Sequence, residues 1–318
     1  MVFKTFLHAA PEGREAEFKG LTMADDAELY KGMTELAKTG KIAAFHAENN
    51  DMIAANIKRL REEGKVSAEY HGISRPPIAE ITSTERVLGF AKETGARVEI
   101  AHVSVPEVMQ MLKEAKEKGM DVYCETCPHY LFLTEDDMLK YGPFAKCNPP
   151  LRSREMSDRL WDYVNDGTVD YIGSDHSPFL YEEKTRGLED IFAANAGFPG
   201  VDLRLPLMLD AVHDGKVALE RVVELLSVNP AKCFGIYPQK GVIAVGSDAD
   251  FTIFDMDKNT IVDKEKNYSH AKDIAIPYDG RKLKGQVTCT IVRGRVLMRD
   301  GVVDESAKAY GKLVKPVK

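Results

Sequence analysis

The stretch from Thr82 to Tyr130 reads TSTERVLGFAKETGARVEIAHVSVPEVMQMLKEAKEKGMDVYCETCPHY. It decides the fold class. Thr82-x-x-Glu85 has the form of a capping box, and a helix carrying Val87, Leu88 and Ala91 is expected to follow, closed by Gly95. Arg97–Ala101 is a short apolar run of strand character. Ser104-x-x-Glu107 is a second capping box with Pro106 in the first turn. Its helix is expected to bury Val108, Met111, Leu112 and Ala115 and to stop at Gly119, before a strand at Val122–Glu125. Strand–helix–strand repetition of this kind is the signature of a parallel α/β sheet.

The pattern extends in both directions. Val2–Leu7 and Lys41–Phe45 are strand candidates, separated by an amphipathic helix at Asp25–Lys38 with Leu29, Met33 and Leu36 on one face. A helix with Met156, Leu160 and Val164 leads into a strand at Val169–Ile172. From Gly241 the texture changes: Gly241–Phe254 and Gly285–Met298 are rich in Val, Ile, Thr and Gly. The expected division is therefore an α/β body over residues 1–240 and a small β unit over 241–318.

Composition narrows the function. The 318 residues carry 43 Lys+Arg against 50 Asp+Glu, a net charge of -7, so a nucleic-acid partner is not expected. No apolar run approaches membrane-spanning length, and no signal peptide opens the chain, so no membrane partner is expected either. Five cysteines, an odd and low number, fit a reducing compartment, and the cytoplasm is the expected location. Cys124-x-x-Cys127 has no second pair and reads as structural.

The candidate chemistry lies at strand ends. His46 ends the run Ile42–Phe45, His102 ends Val98–Ala101, and Asp175 with His176 follows Tyr171–Ser174. In an α/β barrel, catalytic groups gather at the C-terminal ends of the strands. Two imidazoles and a carboxylate converging from different strands suit a divalent metal such as zinc. Lys4 sits inside the apolar strand Val2–Phe6. It either points to solvent at the chain end or is chemically altered into a metal-bridging ligand. His129, in Cys127-Pro128-His129-Tyr130, is a loop residue that is functional or structural. His8, His71, His213 and His270 have no such setting and are expected to be surface or packing residues.

These segments together resemble the cyclic amidohydrolases: allantoinases, hydantoinases and dihydropyrimidinases, with dihydroorotases further off. The resemblance is carried by Phe3–Phe6, Phe45–Glu48, Ala101–Ser104, Glu125–Tyr130, Lys146–Arg152, Ser174–Pro178 and Gly241–Asp250. It implies a TIM-type (β/α)8 barrel with a C-terminal β-sandwich segment. It implies that Lys4 is carbamylated and bridges two metals, zinc being the expected ion. His46 and His102 would hold the more exposed metal with Lys4. Asp175 would hold the more buried one and act as general base. Asn148 and His129 would contact substrate. It also implies a small-molecule cyclic ureide as partner and a homo-oligomer, a tetramer in the family.

The resemblance has a gap. The family opens its barrel with an HxH pair that completes the buried metal site, and no HxH occurs in the 318 residues. The matching segments correspond to barrel strands four to eight, so an incomplete barrel is expected. With it go at most one well-held metal and little activity alone, or a partner that supplies the N-terminal segment. A non-catalytic relative serving as scaffold is the competing class. Hydantoinases usually carry Tyr five positions after the bridging lysine, whereas this chain has Ala9. Glu125–Tyr130, Lys146–Arg152 and Ser174–Pro178 look more like allantoinases. Allantoinase is therefore the first expectation and a hydantoinase or dihydropyrimidinase the second.

Overall fold

The computed structural model describes residues 2–8, 10 and 15–316. Five strands form one sheet in the order β1 (Val2–Phe6), β2 (Ile42–His46), β3 (Val98–Ile100), β4 (Val122–Thr126) and β5 (Tyr171–Ile172). β1 to β4 pair in parallel, with Lys4 opposite Ala44, Ala44 opposite Glu99, and Glu99 opposite Tyr123. The α/β class with a parallel sheet is thus observed. Parallel strands need long return connections, and helices supply them: Asp26–Thr39, Asn50–Glu62, Pro77–Thr94, Pro106–Glu117 and Arg154–Asn165. β2 is buried along its whole length, as expected where helices flank a parallel sheet.

Local chemistry sets most helix ends. Asp25 caps Asp26–Thr39 by accepting the Glu28 N–H at 2.8 Å. Ser153 does the same for Arg154–Asn165 through the Met156 N–H. Gly95 stops Pro77–Thr94 at φ 68°, a conformation that costs glycine little.

Two expected capping boxes do not exist. The helix around Thr82 begins at Pro77, so Thr82 is interior and bonds back to the Ile78 carbonyl. Pro76-Pro77 starts the helix instead, because a proline in the first turn needs no N–H partner. Ser104 caps nothing either. Its Oγ donates to Glu80 Oε1 at 2.5 Å, and its N–H donates to Glu80 Oε2 at 3.1 Å. A tertiary carboxylate has outcompeted the local helix end. The Pro106–Glu117 helix also buries Met109 where Met111 was expected.

Glu80 and Ser104 belong to a buried polar knot. Arg152 donates to Glu80 Oε1 at 3.1 Å, to Ser104 Oγ at 3.0 Å and to the Arg75 carbonyl at 2.6 Å. The Glu80 and Arg152 side chains are 2% and 6% exposed. Burial raises the Glu80 carboxyl above its usual range, against the pull of Arg152 and Ser104.

By internal contacts the described chain forms two compact units. The first comprises Met1–Val169, Gly173–Gly200 and Tyr268–Pro277; the second comprises Asp170–Ile172, Val201–Asn267 and Tyr278–Lys318. The expected boundary at 240/241 follows the change in secondary structure, whereas the contacts group the preceding helix Arg204–His213 with the strands. Gly285 shows why. At φ 87° it lies against Leu209, where an added Cβ would come within 2.8 Å of the Leu209 Cβ. Asp210 accepts the Lys284 N–H at 2.7 Å.

The second unit holds a four-stranded antiparallel sheet, β6 (Phe251–Ile261), β7 (Lys282–Val292), β8 (Arg295–Arg299) and β9 (Val302–Val303), in that order. Strands begin ten residues later than Gly241. Gly241–Asp250 forms turns, with Ile243 and Val245 largely exposed.

The knot makes a stability prediction. Arg152→Leu should cost about 3–5 kcal/mol, because it leaves the Glu80 carboxylate buried and unpaired. The double variant Glu80→Leu/Arg152→Leu should recover part of that loss. Urea unfolding of the three proteins, read at constant m, checks both.

Candidate active site

A cavity of about 490 Å³ lies in the first unit. Lys4, His46, His102 and Asp175 all line it, as does Asn148. The sheet register explains the convergence. Lys4 and Phe6 on β1 stand opposite Ala44 and His46 on β2, so Lys4 and His46 project to one face, one step apart. His102 and Asp175 lie two and three residues past β3 and β5, at the strands' C-terminal ends.

Three side-chain nitrogens lie close together. His46 Nδ1 is 3.2 Å from His102 Nε2, and Lys4 Nζ is 3.4 Å from the same nitrogen. Two nitrogens bound tetrahedrally to one zinc at about 2.0–2.1 Å stand about 3.3 Å apart. Among the described residues no three or more His, Cys, Asp or Glu side chains are grouped to hold a metal. The third member here is the lysine amine, which becomes an anionic oxygen ligand only as a carbamate. With that change the donor set fits a divalent metal.

The backbone is strained where these side chains are aimed. Among the described residues five non-glycines have positive φ, and two of them are His102 at 44° and Asp175 at 43°. Neither is β-branched, which keeps the left-handed region accessible.

Electrostatics favour ligand-competent forms. Burial lowers His46, partly offset by Glu48, whose Oε2 lies 2.8 Å from His46 Nε2. Burial, with the charges of Lys4 and His46, holds His102 well below the usual imidazole range. Both rings are therefore neutral near pH 7, and a carboxylate bonded to the outer nitrogen fixes the orientation of His46. Burial would raise Glu48, but Arg75 and His46 overcome it and hold the carboxyl at about 2. Burial pushes Asp175 up to about 6 against the pull of Lys4. Burial and the neighbouring Glu99 raise Glu125, whose Oε2 accepts the His102 backbone N–H at 3.3 Å. Room for Glu125 comes from Gly173, where an added Cβ would fall 1.5 Å from Glu125 Oε1.

Other expectations met different outcomes. His129 is buried, 4% exposed, stacked edge-on against Tyr130 and Phe198, and is not among the residues that line the cavity. His176 Nδ1 accepts the Gly200 N–H at 3.1 Å. Cys124 and Cys127 are buried free thiols. His71 packs, donating to the Cys147 carbonyl at 2.8 Å. Ala9 lies outside the described residues. His8, expected at the surface or in packing, instead lines the cavity with Phe6 and Phe18. Glu48 and Arg75 line it too, and neither was singled out from the sequence as a site residue. Glu48 was visible in hindsight, two residues after His46. Arg75 gave no local signal, because its partner lies 27 positions away.

The segment bearing Asn148 is held by two buried lysines. Lys184 Nζ donates to the carbonyls of Lys146, Asn195 and Gly197 at 3.3, 2.9 and 2.8 Å. Lys146 Nζ donates to the Ile191 carbonyl at 2.8 Å.

The sequence profile of the Amidohydrolase family matches residues 12–297, and the chain belongs to that family. Its relatives are more particular. An L-hydantoinase of Paenarthrobacter aurescens is 40% identical over 279 residues, 87% of this chain and 60% of that protein. An allantoinase of Solibacter usitatus is 40% identical over 294 residues, 92% of this chain and 63% of that protein. The chain thus spans about three fifths of the length of these curated relatives. Among solved structures, a D-hydantoinase (dihydropyrimidinase) from Thermus sp. superposes with TM-score 0.88 at 29% identity, over 99% of this chain and 67% of that one.

Burial of Lys184 makes a pH prediction. It draws the ammonium down to about 7 from 10.5. Between those values the unfolded chain binds a proton that the folded chain does not, so stability rises with pH; it is complete above 10.5 and lost as pH falls towards 7. The Lys184 contribution should gain about 2 kcal/mol from pH 7 to 9. Lys184→Met should flatten the rise in urea midpoint over that range.

Proposed function

We propose that this chain carries the catalytic residues of a metal-dependent cyclic amidohydrolase that opens a C–N amide bond in a cyclic ureide, allantoin to allantoate first. The observation that carries this reading is the meeting of Lys4, His46, His102 and Asp175 on one cavity, with nitrogens 3.2 and 3.4 Å apart. On this reading β1 to β5 correspond to strands four to eight of a (β/α)8 barrel, and β6 to β9 to part of a β-sandwich.

Carbamylated Lys4, His46 and His102 would hold one zinc ion; Lys4 and Asp175 would contribute to a second. When bound, the metal polarises the ring carbonyl and acidifies water. The protein's own groups do the rest. His46 and His102 stay neutral because they are buried, and Glu48 holds His46 in one orientation. The Asp175 carboxylate takes a proton from the attacking water and delivers it to the leaving ring nitrogen. Phe6, Phe18 and Phe179 give the cavity an apolar wall that limits bulk water. Asn148, which lines the cavity, would offer its amide to the ring.

A hydantoinase or dihydropyrimidinase stands second, favoured by the equal 40% identity to an L-hydantoinase and an allantoinase. Zinc as the ion, a homotetramer or an added N-terminal partner segment, and a cytoplasmic location belong to the same proposal. No helix among the described residues is long and apolar enough to cross a membrane.

Zinc content and ureide opening by the purified 318-residue chain test the reading. We expect one tightly held zinc and slow opening of allantoin. His46→Ala and His102→Ala should each lose the zinc and the turnover and lower the urea midpoint, since a bound ion and a buried hydrogen bond go together, while the far-UV circular dichroism stays that of the wild type. Two tightly held zinc ions with rapid turnover would show that other residues replace the HxH pair. Strong dihydroorotate turnover without ureide turnover would overturn the substrate ranking.

A further inference from the structure

Glu48 has one oxygen too many for its known partners. Its Oε2 is shared by His46 Nε2 at 2.8 Å and Arg75 Nη1 at 2.5 Å. Its Oε1 is buried and accepts nothing, and the side chain is 2% exposed. A buried carboxylate oxygen without a donor is costly and calls for one. The residue lines the same cavity as Lys4 and Asp175. Arg75 lines it as well, with its side chain 16% exposed, and uses Nη1 on Glu48. A guanidinium has five N–H donors in a fixed plane, so one bond leaves others to offer. A second orphan acceptor, Asn148 Oδ1, sits on the same cavity.

We propose that Glu48 and Arg75 form a recognition point for a planar ureido or amide group, whose N–H donates to Glu48 Oε1 while its C=O accepts from the Arg75 guanidinium. The inference rests on the reading of the cavity as a ureide site and names what selects within that class. The pair is neutral overall, so a neutral group with an adjacent donor and acceptor suits it. A second carboxylate beside Glu48 would be repelled. Allantoin carries an exocyclic ureido arm with both functions; 5-methylhydantoin has the same ring with a methyl group in its place.

The test is calorimetric binding of these two compounds to the full chain in zinc-containing buffer. Wild type should bind allantoin about tenfold or more tightly than 5-methylhydantoin, a margin of one hydrogen-bonded group. Arg75→Lys keeps the charge beside Glu48 but loses the planar fork, and should shrink that ratio to about twofold or less. Glu48→Gln should shrink it likewise; if that variant does not fold, Arg75→Lys decides alone. A purely structural role would weaken both ligands alike and preserve the ratio, which overturns the proposal. Equal binding of both by wild type overturns it while leaving the ureide reading intact. Binding of neither removes that reading and this inference with it.

Discussion

The ion pair between Glu48 and Arg75 is the interaction on which the rest of the first unit hangs. On one side the carboxylate holds His46, which faces His102. On the other side the carbonyl of Arg75 accepts from Arg152, which also binds Glu80 and Ser104. One run of hydrogen bonds therefore passes from two imidazoles through two carboxylates and two guanidiniums. Every member of it is largely buried, and a buried charge is tolerated only while its partner stays in place. The run ties β2, the segment after β3, the start of the Pro77–Thr94 helix and the chain after Pro150 into one arrangement. It sets the cavity wall as firmly as the apolar core does.

Much of this was legible in the sequence. The strand–helix alternation predicted the sheet, because short apolar runs and glycine stops act locally. His46, His102 and Asp175 stood out because parallel strands all present their C-terminal ends to one side. The failures have separate physical causes. Ser104 has the form of a cap, but a buried carboxylate 24 residues earlier takes its hydroxyl. Thr82 has the same form, yet Pro76-Pro77 starts the helix first. His8 and Arg75 reach the cavity through pairings that no local pattern encodes. Gly241–Asp250 is rich in strand formers but lies exposed in turns, where propensity has nothing to pack against.

The strained residues add a second argument for function. A positive φ at His102 and Asp175 is stored cost, sustained only because neighbours over-determine it. At His102 one such neighbour is Glu125, which accepts its backbone N–H. Asp and His are among the non-glycine residues that adopt this region most readily, so the two positions combine a tolerable backbone with side chains that line the cavity.

Gly173 contributes by what it lacks. The volume that a side chain would occupy there is already filled by the Glu125 carboxyl. Two positions 48 apart in sequence thus share one parcel of space, and a side chain at 173 is admitted only if Glu125 moves or shrinks. For anyone recombining this chain, residues 125 and 173 are read together: a crossover that sets a side chain at 173 beside Glu125 joins halves that each look sound and compete for the same volume.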